Sequence, residues 1–177
     1  MHFYFTRHGQ TFWNVSNQIC GATDIGLTEQ GYQQAKTLGE TIRQQYKDID
    51  LILTSPLSRA CETARTISEI TGIPLQAEPR LIEQNFGVYE STPRDSAEFH
   101  EAKKNFCDRF ETGESMLQVA ARIYSLLDEI RKNTDHTVLL VAHNGIARHI
   151  EAYFHSMSNE EFSSFGIQNC EIRRYDF

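Results

Sequence analysis

The pattern of apolar positions switches repeatedly between the short runs of strands and the 3.6-residue stripe of helices. His2–Thr6 reads as a strand. Thr28–Tyr46 predicts a helix, with Tyr32, Ala35, Leu38, Gly39, Ile42 and Tyr46 on one stripe. Asp50–Thr54 is a short apolar strand. Ser55 and Pro56 then read as an N-cap and a proline at the first helical position, where its missing N–H costs nothing. That helix runs to about Thr71, with Ala60, Ala64, Ile67 and Ile70 inward, and Gly72-Ile73-Pro74 breaks it. Leu75–Leu81 reads as a short strand or extended stretch. Ser115 and Gln118 form a capping-box pair ahead of the stripe Val119, Ile123, Leu126, Leu127 and Ile130. Thr137–Ala142 is uninterruptedly apolar, as expected of a strand buried on both faces. A helix from Gly145 to about Phe154 and a last strand over Cys170–Asp176 complete the reading.

Strand and helix in this alternation predict an α/β fold: one three-layer sandwich, its sheet mostly parallel, with helices on both faces. At 177 residues the chain fits a single domain, and no linker, repeat or low-complexity stretch divides it. The segment at about 88–113 is expected to be a short, solvated flap, rich in acidic residues over Asp95–Glu111, from which Arg94, Lys103 or Lys104 can reach a substrate. A net charge of −7 argues against nucleic acid or an anionic membrane as partner, although clustered arginines can still dominate a pocket. The cysteines, Cys20, Cys61, Cys107 and Cys170, lack metal-type spacing, which points to a reduced, cytoplasmic setting. No apolar run reaches the ~20 residues of a membrane span, and no secretory leader is expected.

Reactive groups fall at or just past the ends of extended segments: Arg7-His8-Gly9, Arg59, Glu83 and His143. In parallel α/β sheets, ligands bind beyond the carboxyl ends of the strands, so these groups should converge. Each type suits phosphoryl chemistry. Neutral imidazole attacks phosphorus near physiological pH. Arginine holds phosphate through bidentate, charge-assisted bonds. A carboxylic acid protonates the leaving oxygen and then takes a proton from water. A second imidazole donates to a phosphoryl oxygen as charge builds. With arginines and a helix N-terminus supplying positive charge, neither metal nor cofactor is called for.

Thr6-Arg7-His8-Gly9-Gln10-Thr11 with Trp13-Asn14 resembles the signature of the histidine phosphatase (phosphoglycerate mutase-like) superfamily. So do Asp24…Leu27-Thr28…Gly31, Ser55-Pro56-Leu57-Ser58-Arg59-Ala60…Thr63-Ala64 and Glu83…Phe86-Gly87…Glu90. Gly113-Glu114-Ser115, Val141-Ala142-His143-Asn144-Gly145 and Asn169-Cys170…Ile172 complete the series in the family's order. The resemblance covers nearly the whole chain and is closest to the family's small phosphatases. It implies a phosphohistidine at His8, Glu83 as proton donor, and Arg7, Arg59, His143 and Asn14 around the phosphate. Gln18, Cys20, Gly21 and Asn144 are further candidate substrate contacts. The substrate it implies is a small phosphorylated metabolite. Three places depart from the family's usual residues: Gln18 in place of arginine, Cys20 in place of glutamine or serine, and Ser91 in place of glycine.

Other chemistries find less support. No cysteine is followed by arginine six residues on, as a cysteine phosphatase requires. Asp48-Ile49-Asp50 precedes its strand rather than following it, unlike an aspartate-based site, and no Walker-type loop occurs. His143, His149 and His155 share no helical face, so zinc is not expected, and His149 and His155 read as helix-surface residues. The alternatives to phosphomonoester hydrolysis are phosphoglycerate mutase activity on the same site and a non-catalytic phosphate-binding module. The second would be expected to have lost His8, Glu83 or His143, and none is lost.

Overall fold

In the computed structural model, which describes residues 1–132 and 135–177, the chain forms one five-stranded sheet between two helical layers. The strands are β1 (His2–Arg7), β2 (Leu51–Thr54), β3 (Leu75–Ala77), β4 (Val138–Ala142) and β5 (Ile172–Asp176). Their order is β3-β2-β4-β1-β5, all parallel except β5, which runs antiparallel along β1. The helices are α1 (Phe12–Val15), α2 (Glu29–Gln45), α3 (Ser58–Thr71), α4 (Ala97–Ala102), α5 (Met116–Lys132), α6 (Asn144–Phe154) and α7 (Asn159–Ser164).

The two-residue alternation of strands divides the core. Phe3, Phe5, Leu140 and Ala142 face α5 and α6, where Ile123, Leu127, Ile146 and Ile150 meet them. Tyr4, Ile52, Leu139 and Val141 face α2 and α3, against Leu38, Ile42, Ala64 and Ile67. β4 is buried at every residue, as its apolar run predicts. The capping box of α5 is present: Ser115 Oγ accepts from Gln118 N at 3.3 Å, and Ser115 N donates to Gln118 Oε1 at 3.0 Å.

Several expectations need correction. Ser55-Pro56 does not cap α3. The helix starts at Ser58, and its end is served by Asp24, whose Oδ1 accepts from Ser58 N (2.8 Å) and Ser58 Oγ (2.7 Å). This frees Ser55 for another partner. Leu75–Leu81 is a strand only to Ala77, because Pro79 starts a 3-10 turn in which Glu78 Oε1 accepts from Arg80 N (3.0 Å). Tyr32 lies on the α2 stripe yet stays 40% exposed. The last strand begins at Ile172, since Cys170 adopts φ 59° and cannot join it.

The flap is less solvated than its composition suggests. Phe99 and Phe110 are buried with Ile19 and Phe86 in a small third cluster, while Asp95, Glu98, Glu101, Asp108 and Glu111 face solvent. His149 is not a surface residue. It is buried under α7, edge-on to the Phe162 ring at 5.0 Å, and burial lowers its imidazole to about 3. His155 is exposed, near Glu151.

Register sets the functional end of the sheet. β1 and β4 are aligned so that Arg7 lies beside Ala142, and β2 and β4 so that Thr54 lies beside Val141. His8 and His143 therefore emerge side by side at the strands' carboxyl ends, about 5 Å apart, while Ser55 lies level with Ala142 on the other side of β4.

Candidate active site

His8 is anchored by its backbone. Its N donates to Ala142 O (2.9 Å), and its carbonyl accepts from Asn169 Nδ2 (2.8 Å). The chain must then turn closely past α2: a Cβ on Gly9 would sit 2.4 Å from Gly31 O, so only glycine fits. Gly9 N donates to Thr63 Oγ1 on α3 (3.0 Å).

The side chain of His8 has a fixed tautomer. Nδ1 lies 2.7 Å from Gly9 O, and a carbonyl only accepts, so Nδ1 carries the hydrogen. Burial, with Arg59 and Arg7 adding to it, holds the imidazole well below its usual 6.5. The ring is thus neutral and leaves Nε2 with a free lone pair. A nucleophile of this kind is lost only when it gains a proton, and here that happens below pH 6.5. We therefore expect kcat/KM for p-nitrophenyl phosphate, corrected for ionisation of the ester, to hold its value as pH falls through 6.5. A limb centred at 6.5 would contradict the buried neutral ring.

His143 lies beside it, ring centroids 5.2 Å apart, fully buried and held neutral by burial and by Arg59. Its Nε2 is 2.7 Å from Ser55 Oγ. That hydroxyl already accepts from Leu57 N (3.3 Å), so it can give its own proton to Nε2, leaving the ring hydrogen on Nδ1. Nδ1 has no partner in the protein. Sequence reasoning missed Ser55 by reading it as a helix cap. Its place directly after β2, matching His8 after β1, was the available signal.

Arg59 is fully buried at the start of α3. Nη1 donates to Thr23 O (2.9 Å) and Nη2 to Gly21 O (2.7 Å), while Nε has no partner. The loop that supplies those carbonyls is tied down by Glu90, whose carboxylate accepts from the N–H groups of Gly21, Ala22, Thr23 and Phe86. Glu90 thus positions Arg59, a role its sequence position did not disclose. Arg7 donates through Nη1 to Ile167 O (2.9 Å), and its Nε is likewise buried and unpartnered.

Glu83 seats its carboxyl against two backbone amides: Oε2 accepts from Gly145 N (3.0 Å) and Oε1 from Gln84 N (2.9 Å). This contact requires glycine at 145, where a Cβ would come within 2.4 Å of Oε1.

Arg7, His8, Asn14, Cys20, Glu83 and Asn144 line one cavity of about 70 Å³. Arg94, Lys103 and Arg148 line it too, with Ile19, Phe86 and Phe99 as apolar wall. Arg59 and His143, both fully buried, do not line it. Asn14 Oδ1 accepts from Thr11 N (3.0 Å), and Asn144 Oδ1 accepts from Ile167 N (2.9 Å), so each still has amide hydrogens to offer. Burial pushes the Cys20 thiol up to about 11, which makes it an inert wall residue. Gln18 and Gly21 do not line the cavity. Gln18 Nε2 donates to Ser91 O (3.1 Å), and Gly21 is packed against Glu90, Gln84 and Phe86 with no room for a Cβ. Ser91, where the family usually has glycine, sits at φ 66°, a left-handed conformation that favours glycine. Lys104 pairs with Glu101 on the surface.

Comparison with known proteins agrees with this architecture. The family model of the histidine phosphatase superfamily (branch 1) matches residues 3–177. The chain is 31% identical to a probable phosphoglycerate mutase of Yersinia pestis, covering 98% of this chain and 84% of that protein. Among solved structures it resembles a mycobacterial glucosyl-3-phosphoglycerate phosphatase, with TM-score 0.84 and 27% identity over 98% of this chain and 90% of that one. It also resembles a phosphoserine phosphatase of Entamoeba histolytica, with TM-score 0.83 and 27% identity over 99% and 90%. With its sheet register, its paired histidines and a match across almost every residue, the chain belongs to branch 1 of the histidine phosphatase superfamily.

Proposed function

We propose that this protein hydrolyses a small phosphomonoester without a metal ion, through a phosphohistidine at His8. The observation that carries the reading is a set of three buried donors lacking any partner in the protein: Arg7 Nε, Arg59 Nε and His143 Nδ1. Buried polar atoms are nearly always paired. Among the described residues these three are the buried side-chain nitrogens and oxygens left over, and all belong to the groups around His8. A phosphoryl group, with acceptor oxygens and negative charge, is a ligand that would satisfy them.

The chemistry we propose runs in two steps. Nε2 of His8 attacks phosphorus, forming an N–P bond as the ester P–O bond breaks. Arg7, Arg59 and the Nδ1–H of His143 take up the charge on the phosphoryl oxygens. The Glu83 carboxylic acid protonates the departing alkoxide, then accepts a proton from the water that attacks phosphorus and releases inorganic phosphate. Two guanidinium groups supply the charge neutralisation that a divalent metal would otherwise provide. The phosphatases among its structural neighbours, named for glucosyl-3-phosphoglycerate and phosphoserine, support a metabolite-sized substrate. All four cysteines are free thiols, and the reducing cytoplasm is the setting we assign.

The test is p-nitrophenyl phosphate turnover in the presence of a strong chelator. An undiminished rate is expected, and activity that needs added magnesium would overturn the reading. A mutase is the second reading, favoured by the Yersinia pestis relative. Phosphoryl exchange between 3-phosphoglycerate and bisphosphoglycerate that outpaces phosphate release would select it.

The role given to Glu83 has its own test. Glu83→Gln should slow alkyl phosphates about 10²-fold or more, and p-nitrophenyl phosphate much less, because nitrophenolate leaves without a proton. Equal slowing of both would move the proton transfer elsewhere. It would not move it to Glu90, which does not line the cavity and whose two oxygens each accept at least two hydrogens from Phe86 and the 21–23 loop.

A further inference from the structure

The cavity carries more positive charge than one phosphate needs. A phosphomonoester dianion is matched by Arg7 and Arg59, since both imidazoles are neutral. Yet Arg94, Lys103 and Arg148 also line the cavity, in a protein whose net charge is −7. Among the described residues, none of the three pairs with a carboxylate. Glu83 is the one carboxylate on the cavity wall.

The three come from separate elements and are held in place by neutral contacts. Arg94 sits where the flap pairs with the segment before Ile19: its N donates to Asn17 O (3.0 Å) and its Nη2 to Gln18 O (2.9 Å). Lys103, just past α4, holds its ammonium over the Phe99 ring, 5.5 Å from the centroid. Arg148, on α6 one turn beyond Asn144, donates Nε to Phe165 O (2.8 Å). Clustering like charges is unfavourable where water does not screen them, and of the three only Arg94 is exposed, while Lys103 and Arg148 are half-buried. The cost is visible at Lys103, where burial, with Arg148 and Arg94 adding to it, lowers the ammonium to about 8.

We propose that Arg94, Lys103 and Arg148 form a subsite for a second anionic group, a carboxylate or a phosphate, on the same small molecule whose reacting phosphate lies against His8. The proposal rests on the reading of the His8 site as a phosphomonoester site and names the class of ester. Phe86, Phe99 and Ile19 form the apolar wall of the same cavity, which suits a short carbon skeleton carrying an anion at each end. The acidic residues of the flap do not oppose this, because Asp95, Glu98, Glu101, Asp108 and Glu111 are exposed and none lines the cavity.

Binding and turnover separate the two claims. Non-hydrolysable phosphonate isosteres of 3-phosphoglycerate and of glycerol 3-phosphate differ in a carboxylate against a neutral hydroxymethyl group. Titrated calorimetrically into the wild-type protein, the carboxylate isostere should bind about tenfold more tightly or better. A bisphosphonate bound more tightly still would support the subsite and assign phosphate as its anion. In the Arg94→Gln, Lys103→Met double variant the preference should shrink to within about twofold, while Lys104→Gln, a charge control on the flap surface, should keep it. Equal affinities in the wild type, or a preference that survives the double variant, would overturn the subsite. Preference without turnover of any ester would keep the subsite and reject hydrolysis. Turnover of p-nitrophenyl phosphate without preference would do the reverse.

Discussion

His8→Ala should lower kcat by about four orders of magnitude or more, the scale seen when a covalent nucleophile is removed. The fold should survive the change. The imidazole's one hydrogen bond goes to the adjacent Gly9 carbonyl, while the anchors to Ala142 and Asn169 use the backbone of residue 8. A variant that melts like the wild type and yet is inactive therefore reports chemistry, not unfolding. Steady-state kinetics with p-nitrophenyl phosphate provides the measurement, and a loss of less than tenfold would remove His8 from the reaction.

The second large effect belongs to Arg59. Arg59→Lys keeps a positive charge but should lower kcat/KM about 10²- to 10³-fold, the range found when a preorganised donor to a developing oxyanion is lost. The reason is geometric. The planar fork of Arg59 already gives hydrogens to Thr23 O and Gly21 O and still presents Nε–H, in a space with no exposure to water. A lysine ammonium has three donors on one atom and cannot span those positions. Because the two loop carbonyls would lose partners, the thermal midpoint should fall as well. Near-wild-type kcat/KM in the lysine variant would mean that Arg59 only braces the loop and leaves the phosphate to Arg7 and His143.

What could be read in advance followed from local rules. β4 announced itself because burial on both faces demands an unbroken apolar run, and α5 because Ser115 and Gln118 reciprocate across its first turn. The carboxyl-end rule for parallel sheets brought His8 and His143 to one place, and the register Arg7–Ala142 shows how.

The features that escaped depend on partners distant in sequence. α3 is capped by Asp24, 34 residues away, so the nearby serine was misread and its contact with His143 unseen. His149 looked exposed on its own helix because the ring that covers it, Phe162, comes from another. The flap looked solvated because its composition is acidic. Composition says nothing of direction, and its acids point outward while Phe99 and Phe110 turn inward and Arg94 and Lys103 reach the cavity. Glu90 stood in a family motif, yet its function of holding the 21–23 loop under Arg59 is a matter of backbone amides that no side-chain pattern records.

All of these proposals converge on one bond. If His8 Nε2 attacks phosphorus, a phosphoenzyme must exist between two chemical steps. Its N–P linkage should be stable in alkali and labile in mild acid, the reverse of a phosphate ester on serine. Rapid alkaline quenching of the protein with a labelled phosphomonoester should trap label on the peptide containing His8, release it in mild acid, and trap none in His8→Ala. Label that survives acid, or that maps to any other residue, would contradict the account at its centre.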